Sequence, residues 1–242
     1  KVVLAAGLSE VRESGWIKEK RDLNPPLPML REGAAAWGPV NIITDRDAFV
    51  RRSQLTLEFQ GKEWAGFDLD IYRLAKAAGI PAAPLPTNPE FIINYAGPPG
   101  TFPRVAYSSV VSAEISPEIF EGQIVLVGAT TQILHDVFPT PFAPLRTMPG
   151  VAIHANIVDT LLAGIPIRRG PGWVDAALAV LAGGAAGWIA TAFRPLPAFL
   201  LVLGGALGFL AGTHAAFRFA RLWLDVLPVP IALLVPYVGV VV

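Results

Sequence analysis

The stretch VDAALAVLAGGAAGWIATAF, Val174 to Phe193, is apolar or small except at Asp175 and Thr191. Two further runs follow it. Ala198–Phe217 is interrupted only by Thr213 and His214, and Leu222–Val242 carries only Asp225, near its start. Each run reaches the roughly 20 residues that a helix needs to cross about 30 Å of hydrocarbon. A soluble core helix seldom stays apolar on every face for that length. The spacing therefore predicts three membrane-spanning helices, at about 174–193, 198–217 and 222–242. They lie within a membrane domain at 173–242, and a folded domain at 1–170 precedes them.

The composition ahead of the break near Pro171 is mixed, and 170 residues suffice for one domain. Nineteen Lys and Arg balance nineteen Asp and Glu, so the chain lacks the basic stripe of a nucleic-acid binder. The absence of cysteine excludes disulfides, thiolate metal sites and cysteine nucleophiles. The chain opens without Met at Lys1-Val2-Val3-Leu4-Ala5-Ala6, in the manner of a strand already under way, and stops inside an apolar run. It is expected to be an internal piece of a longer protein.

Strands are predicted at Lys1–Ala6, Gly38–Ile43, Leu55–Phe59 and Phe91–Tyr95, with a short one inside Thr101–Ser109. Gly61-Lys62 is the expected turn of a hairpin ending near Trp64. Leu69, Ile71, Tyr72, Leu74, Ala75 and Ala78 recur at helical spacing over Asp68–Ala78, with Gly79 as the stop. Pro117–Phe120 reads as a short helical turn. Gln123-Ile124-Val125-Leu126-Val127-Gly128 has the composition of a strand buried on both faces, as in a parallel sheet. Asp136–Met148 reads as an irregular Pro-rich loop. Val151–Leu162 reads as a helix, closed at Gly164, that sets Ile153, Ile157, Leu161 and Leu162 against the sheet. The expected fold is α/β or α+β with a mixed sheet.

Catalytic patterns are weak. Val127-Gly128-Ala129-Thr130-Thr131 lacks both phosphate-loop spacings. His135, Asp136 and His154 lack the i, i+4 spacing of a helical zinc site, so Asp136 is expected to cap a turn and His154 to bond within its helix start. Asp45, Asp47, Glu58 and Asp68 show no context that separates an acid from a base. Ser108, Ser109 and Ser112 have no nucleophile elbow. No catalytic, cofactor or metal site is predicted, which leaves a sensing or binding domain. An envelope hydrolase using Asp136 and His154 is the alternative from another class. A transporter ranks below it, because the runs lack buried charges. Gly183 and Gly187, and Gly204, Gly208 and Gly212, repeat at four-residue spacing and form candidate helix-packing stripes.

Phe120–Thr130, then Asp136, Thr140-Pro141, Met148-Pro149-Gly150-Val151 and His154-Ala155-Asn156 together resemble the type-2 CHASE domain, the cyclase/histidine-kinase-associated sensory extracellular domain. Gly38-Pro39-Val40-Asn41 with Asp45-x-Asp47-x-x-Val50-Arg51-Arg52, and Ile93-Asn94-Tyr95-x-Gly97, resemble it too. Ala48 departs from it, since the family commonly has glycine there. The motif residues carried over are Asp45, Asp47, Arg51, Arg52, Asn94, Gly128, Asp136, Pro149, Gly150, His154 and Asn156. Asp45, Asp47, Arg51 and Arg52 are expected to form a polar turn network. A ligand pocket, if present, is expected at the C-terminal end of strand 124–127.

The resemblance implies a bacterial sensor held outside the cytoplasmic (inner) membrane by a multi-pass anchor. A cytoplasmic adenylate or guanylate cyclase is the favoured output, with a histidine or Ser/Thr kinase as the alternative. The implied partners are an unidentified extracytoplasmic ligand or protein, the lipid bilayer and a second copy in a homodimer, with no nucleic acid. With the domain outside, Arg194 is the only charge in the first inner loop, while Arg168, Arg169, Arg218 and Arg221 lie outside. The positive-inside rule points the other way, and the expectation follows the family.

Overall fold

The computed structural model describes residues 1–12 and 19–241. Two compact units divide it, Lys1–Pro166 and Ile167–Val242.

In the first unit, β1 (Val3–Arg12) pairs antiparallel with β2 (Glu19–Asn24). A short helix, α1 (Pro28–Arg31), precedes β3 (Ala36–Pro39), which pairs with β1 in parallel register, Leu4 opposite Trp37. This three-stranded sheet is mixed. Next come β4 (Arg52–Gln54), β5 (Thr56–Phe59) and β6 (Lys62–Ala65). The β5–β6 hairpin turns at Gln60 and Gly61, whose φ angles of +52° and +71° are those that a two-residue hairpin turn demands.

The helical spacing read over Asp68–Ala78 is α2 (Phe67–Ala77), and the chain leaves it at Gly79 with φ +86°. Its apolar face, Leu69, Ile71, Tyr72 and Ala75, is buried. Then β7 (Glu90–Ile92) pairs antiparallel with β4, Ser53 opposite Phe91. One core gathers Val50, Leu55, Leu69, Tyr72, Phe91 and Ile93 with Met148, Ile153, Ile157 and Leu161. The last three lie on α4 (Gly150–Ala163), which is closed by Gly164 in the left-handed region. Of the earlier helices, α3 (Tyr107–Val111) buries no residue.

Four sequence expectations are corrected. Thr101–Ser109 contains no strand, and Tyr107 onward is helical. Gln123–Gly128 forms no strand; Val125 is 50% exposed and Val127 76%. A two-sided apolar run needs lateral partners on both edges, and among the described residues no strand pairs with it. Asp136–Met148 is no irregular loop, for β8 (Val137–Thr140) and β9 (Ala143–Pro149) pair antiparallel across it. In a two-strand ladder each strand has a free edge on which proline loses no hydrogen bond. Finally, the described strands of this unit form four small sheets rather than one.

In the second unit, β10 (Arg168–Arg169) pairs in parallel with β11 (Leu222–Trp223). The helices are α5 (Gly172–Ala192), α6 (Pro195–Ala220) and α7 (Pro228–Val241). At about 1.5 Å per residue α5 spans about 32 Å and α6 about 39 Å, so both are long and apolar enough to cross a membrane. The third run is corrected: β11 and a bend occupy its start, helix begins only at Pro228, and the described helix is about 21 Å long. Val242 lies outside the described residues. Ala186, Val202, Val229 and Leu233 form the buried seam of the three helices.

Candidate functional site

Two polar constellations converge on the core of the first unit. In the first, Asp45 opens a tight turn in which the Ala48 N–H donates to its carbonyl (2.9 Å) and its own N–H donates to Phe49 O (2.8 Å). The turn aims Asp45 and Asp47 at the guanidiniums that follow. Arg51 Nη1 donates to Asp45 Oδ2 (2.8 Å), and Nη1 and Nη2 donate to Asp47 at 2.9 and 2.8 Å. Arg52 reaches Asp45 Oδ1 through Nε (2.8 Å) and Nη2 (2.6 Å). Its remaining arm donates to Glu90 on β7. Asp45 thus holds two cations, and Arg52 ties the turn to the β4–β7 ladder.

Forked charge-assisted bonds of this kind fix geometry as well as energy. The Arg51 bonds hold the Asp47 carboxyl down at about 2, although slight desolvation opposes them. At Asp45 burial works upward, and Arg51 with Arg52 outweighs it, so that carboxyl also stays below its usual range.

The second constellation docks α4. Asn156, 1% exposed, accepts the Ala96 N–H at Oδ1 (2.8 Å) and donates from Nδ2 to Ala152 O (2.7 Å). Thr160, fully buried, accepts the Asn94 N–H (3.1 Å) and donates to Asn156 O (2.7 Å). Asn94 therefore enters through its backbone. Two residues before Asn156, His154 Nδ1 lies 2.9 Å from each carboxylate oxygen of Asp68 on α2. The Phe67 ring stands edge-on to the imidazole at 5.5 Å.

His154 thus bonds across to another helix rather than within its own helix start, which corrects that expectation. Burial pulls its pKa down, but the Asp68 carboxylate, with Asp136 adding to it, lifts it above the ordinary histidine value. Asp136 accepts the Gly150 N–H on its carbonyl (3.0 Å). Its carboxylate packs against Gly150 so closely that a Cβ there would stand 2.8 Å from Asp136 Cγ. Pro149 is the N-cap of α4. Gly128 abuts Val151, where a Cβ would meet the Val151 side chain at 2.7 Å.

Asp68 is the partner that sequence reasoning missed, because it lies 86 residues from His154 and outside every local motif. No strand stands at 124–127, so the pocket expected at its C-terminal end has no strand end to sit at. A cavity of about 550 Å³ lies instead beside the second half of α2, lined by Tyr72, Arg73, Lys76, Ala77, Pro84 and Leu85. Asp136 and His154 do not line it. Among the described residues, no group of three His, Cys, Asp or Glu is placed to hold a metal.

In the second unit, Gly183 and Gly187 face α7: a Cβ on Gly183 would stand 3.4 Å from Ala232 O, and one on Gly187 3.8 Å from Pro236 Cβ. Gly204, Gly208 and Gly212 have nothing within 4 Å of a Cβ position, so that stripe packs on no helix of this unit. Arg169 pairs with Asp225 (3.1 Å), whose N–H donates to the buried Asp175 carboxylate (3.2 Å).

A small α/β domain is thus followed along the chain by two helices long and apolar enough to cross a membrane. The chain belongs to the CHASE2 domain family, which it matches over residues 3–192. CHASE2 is a sensory extracellular domain of signalling receptors. No curated protein and no solved structure matches the chain.

Proposed function

We propose that this chain is the sensory input and membrane-anchoring region of a bacterial receptor in the cytoplasmic membrane. Its α/β domain lies outside, and it relays a stimulus to a cytoplasmic adenylate or guanylate cyclase. The observation that carries this reading is the family match running without a break from β1 through α5, the first apolar helix. The stimulus, a small ligand or a protein, acts by preferring one of two packings of the domain, since only differential affinity shifts such an equilibrium. A homodimer suits the output, because two-chain catalytic modules respond to changes in helix spacing. A histidine or Ser/Thr kinase output is the second form of the same reading.

The hydrolase alternative loses support from the geometry, since the His154 side chain is only 8% exposed and neither it nor Asp136 lines the described cavity. Top-down mass spectrometry of the native protein tests the output. A cyclase module in the intact mass and fragment ladder is the expected result. A kinase module would replace the output, and a chain ending within a few residues of Val242 would remove the coupled enzyme altogether.

A further inference from the structure

His154 is a buried titratable side chain at the contact of α4 with α2. Its side chain is 8% exposed and that of Asp68 12%, so water screens their contact poorly. The facing charges are Asp68 from α2 and Asp136 from the turn before β8. Phe67 closes the apolar side. With the imidazolium present, one cation faces two carboxylates; without it, Asp68 and Asp136 are left with the N-termini of α2 and α4 as their positive neighbours. His154 also lies in the N-terminal half of α4, where the helix dipole disfavours a cation. The charged form is therefore held by Asp68 and Asp136 and not by its own helix. Beyond α4 the chain needs only residues 164–171 to reach α5.

We propose that His154 is a proton-binding clamp between α2 and α4, closed when the imidazole is protonated and released when the outer medium turns alkaline. This rests on the sensory reading above and gives it a stimulus, the proton. Because the folded-state value is raised, the clamp's contribution is complete below the unfolded histidine value of about 6.5. It is lost as the pH climbs through the raised value. Deprotonation leaves a hydrogen bond from the uncharged imidazole to the Asp68 carboxylate and removes the attraction of the cation to Asp68 and Asp136, so α4 loosens from α2 without the domain unfolding.

The chain has no cysteine, so spin labels can be placed uniquely. Lys76→Cys on α2 and Ala163→Cys on α4, both exposed positions, report the separation of the two helices in the full chain in lipid nanodiscs. The expected result is a narrow distance distribution at about pH 6 that broadens or shifts by about pH 10, with a midpoint above the ordinary histidine value. Asp68→Asn is expected to move that midpoint down by about one unit or more. His154→Gln is expected to abolish the pH dependence. Should the variants fail to fold, the labelled parent still decides, together with imidazole NMR of His154. A distribution that stays constant while His154 titrates, or a His154 that does not titrate over this range, overturns the clamp. Neither readout involves an output enzyme, so a missing cyclase or kinase would overturn the receptor reading and leave this one standing.

Discussion

Ala48 holds φ at +65°, a left-handed conformation that costs an L-residue with a Cβ roughly 1–2 kcal/mol. The turn accepts it because the carbonyls and N–H groups of Asp45, Ala48 and Phe49 are fixed by their mutual bonds. This is the position at which the chain departs from the glycine common in the family. Ala48→Gly should therefore raise stability by about 0.5–1 kcal/mol, after subtracting glycine's greater freedom in the unfolded chain. Equilibrium urea unfolding of the two proteins measures it, and an unchanged midpoint would show that the turn carries no strain. The same turn makes a pH prediction. Carboxyls held low contribute stability that is present above their unfolded value near 3.9 and is lost as the pH falls through the folded value, about 2 at Asp47. Asp45 is 16% exposed and serves both arginines, so Asp45→Asn should cost about 1–2 kcal/mol near neutrality. That difference should shrink between about pH 4 and about pH 2, where the parent loses the same interaction. A thermal-melting series across that range would show a gap that closes.

Among the elements, those legible in the sequence carried their own period or turn chemistry. The apolar spacing of α2 and α4 and the Gln60-Gly61 turn are local facts, and the structure places each within a residue or two of its reading. Ile124–Val127 failed for the opposite reason. Four apolar residues state that a strand would need covering, but not which strand covers it. The β8–β9 pair was hidden by Pro139, Pro141, Pro144 and Pro149, which look like loop until the free edge of a two-strand ladder is allowed for. In the candidate site, the arginine–aspartate cluster lies within eight residues and is visible as a pattern, whereas the His154–Asp68 contact joins two helices whose sequences give no sign of each other. Gly150 tests how tightly α4 is seated. A methyl there would collide with the Asp136 carboxylate, while the Gly150 N–H to Asp136 O bond holds the two backbones together. Gly150→Ala should destabilise by about 1–3 kcal/mol, despite alanine's better helix propensity. Chemical denaturation reads the sign, and a stabilised variant would mean that Asp136 swings away freely.

At the scale of the whole molecule the decisive physical conflict is charge against family. Arg168, Arg169, Arg218 and Arg221 flank β10 and β11, which are paired, so four arginines gather at one end of the helical unit. Arg194, in the α5–α6 connection, stands alone at the other. Arginine asymmetry of this size orients many membrane proteins with the rich end inside, yet CHASE2 domains are extracellular. A folded domain on the same side translocates largely regardless of short-loop charge. Arginine count therefore does not fix the side of the domain, and the family match carries the proposal that it lies outside. The absence of native cysteine makes the test direct. Lys62→Cys, exposed on β6, should react with a membrane-impermeant maleimide in intact cells, while Arg194→Cys should react only after permeabilisation. The reverse pattern would put the sensor domain in the cytoplasm, where the proton supply is buffered and the His154 clamp would answer to internal rather than external pH.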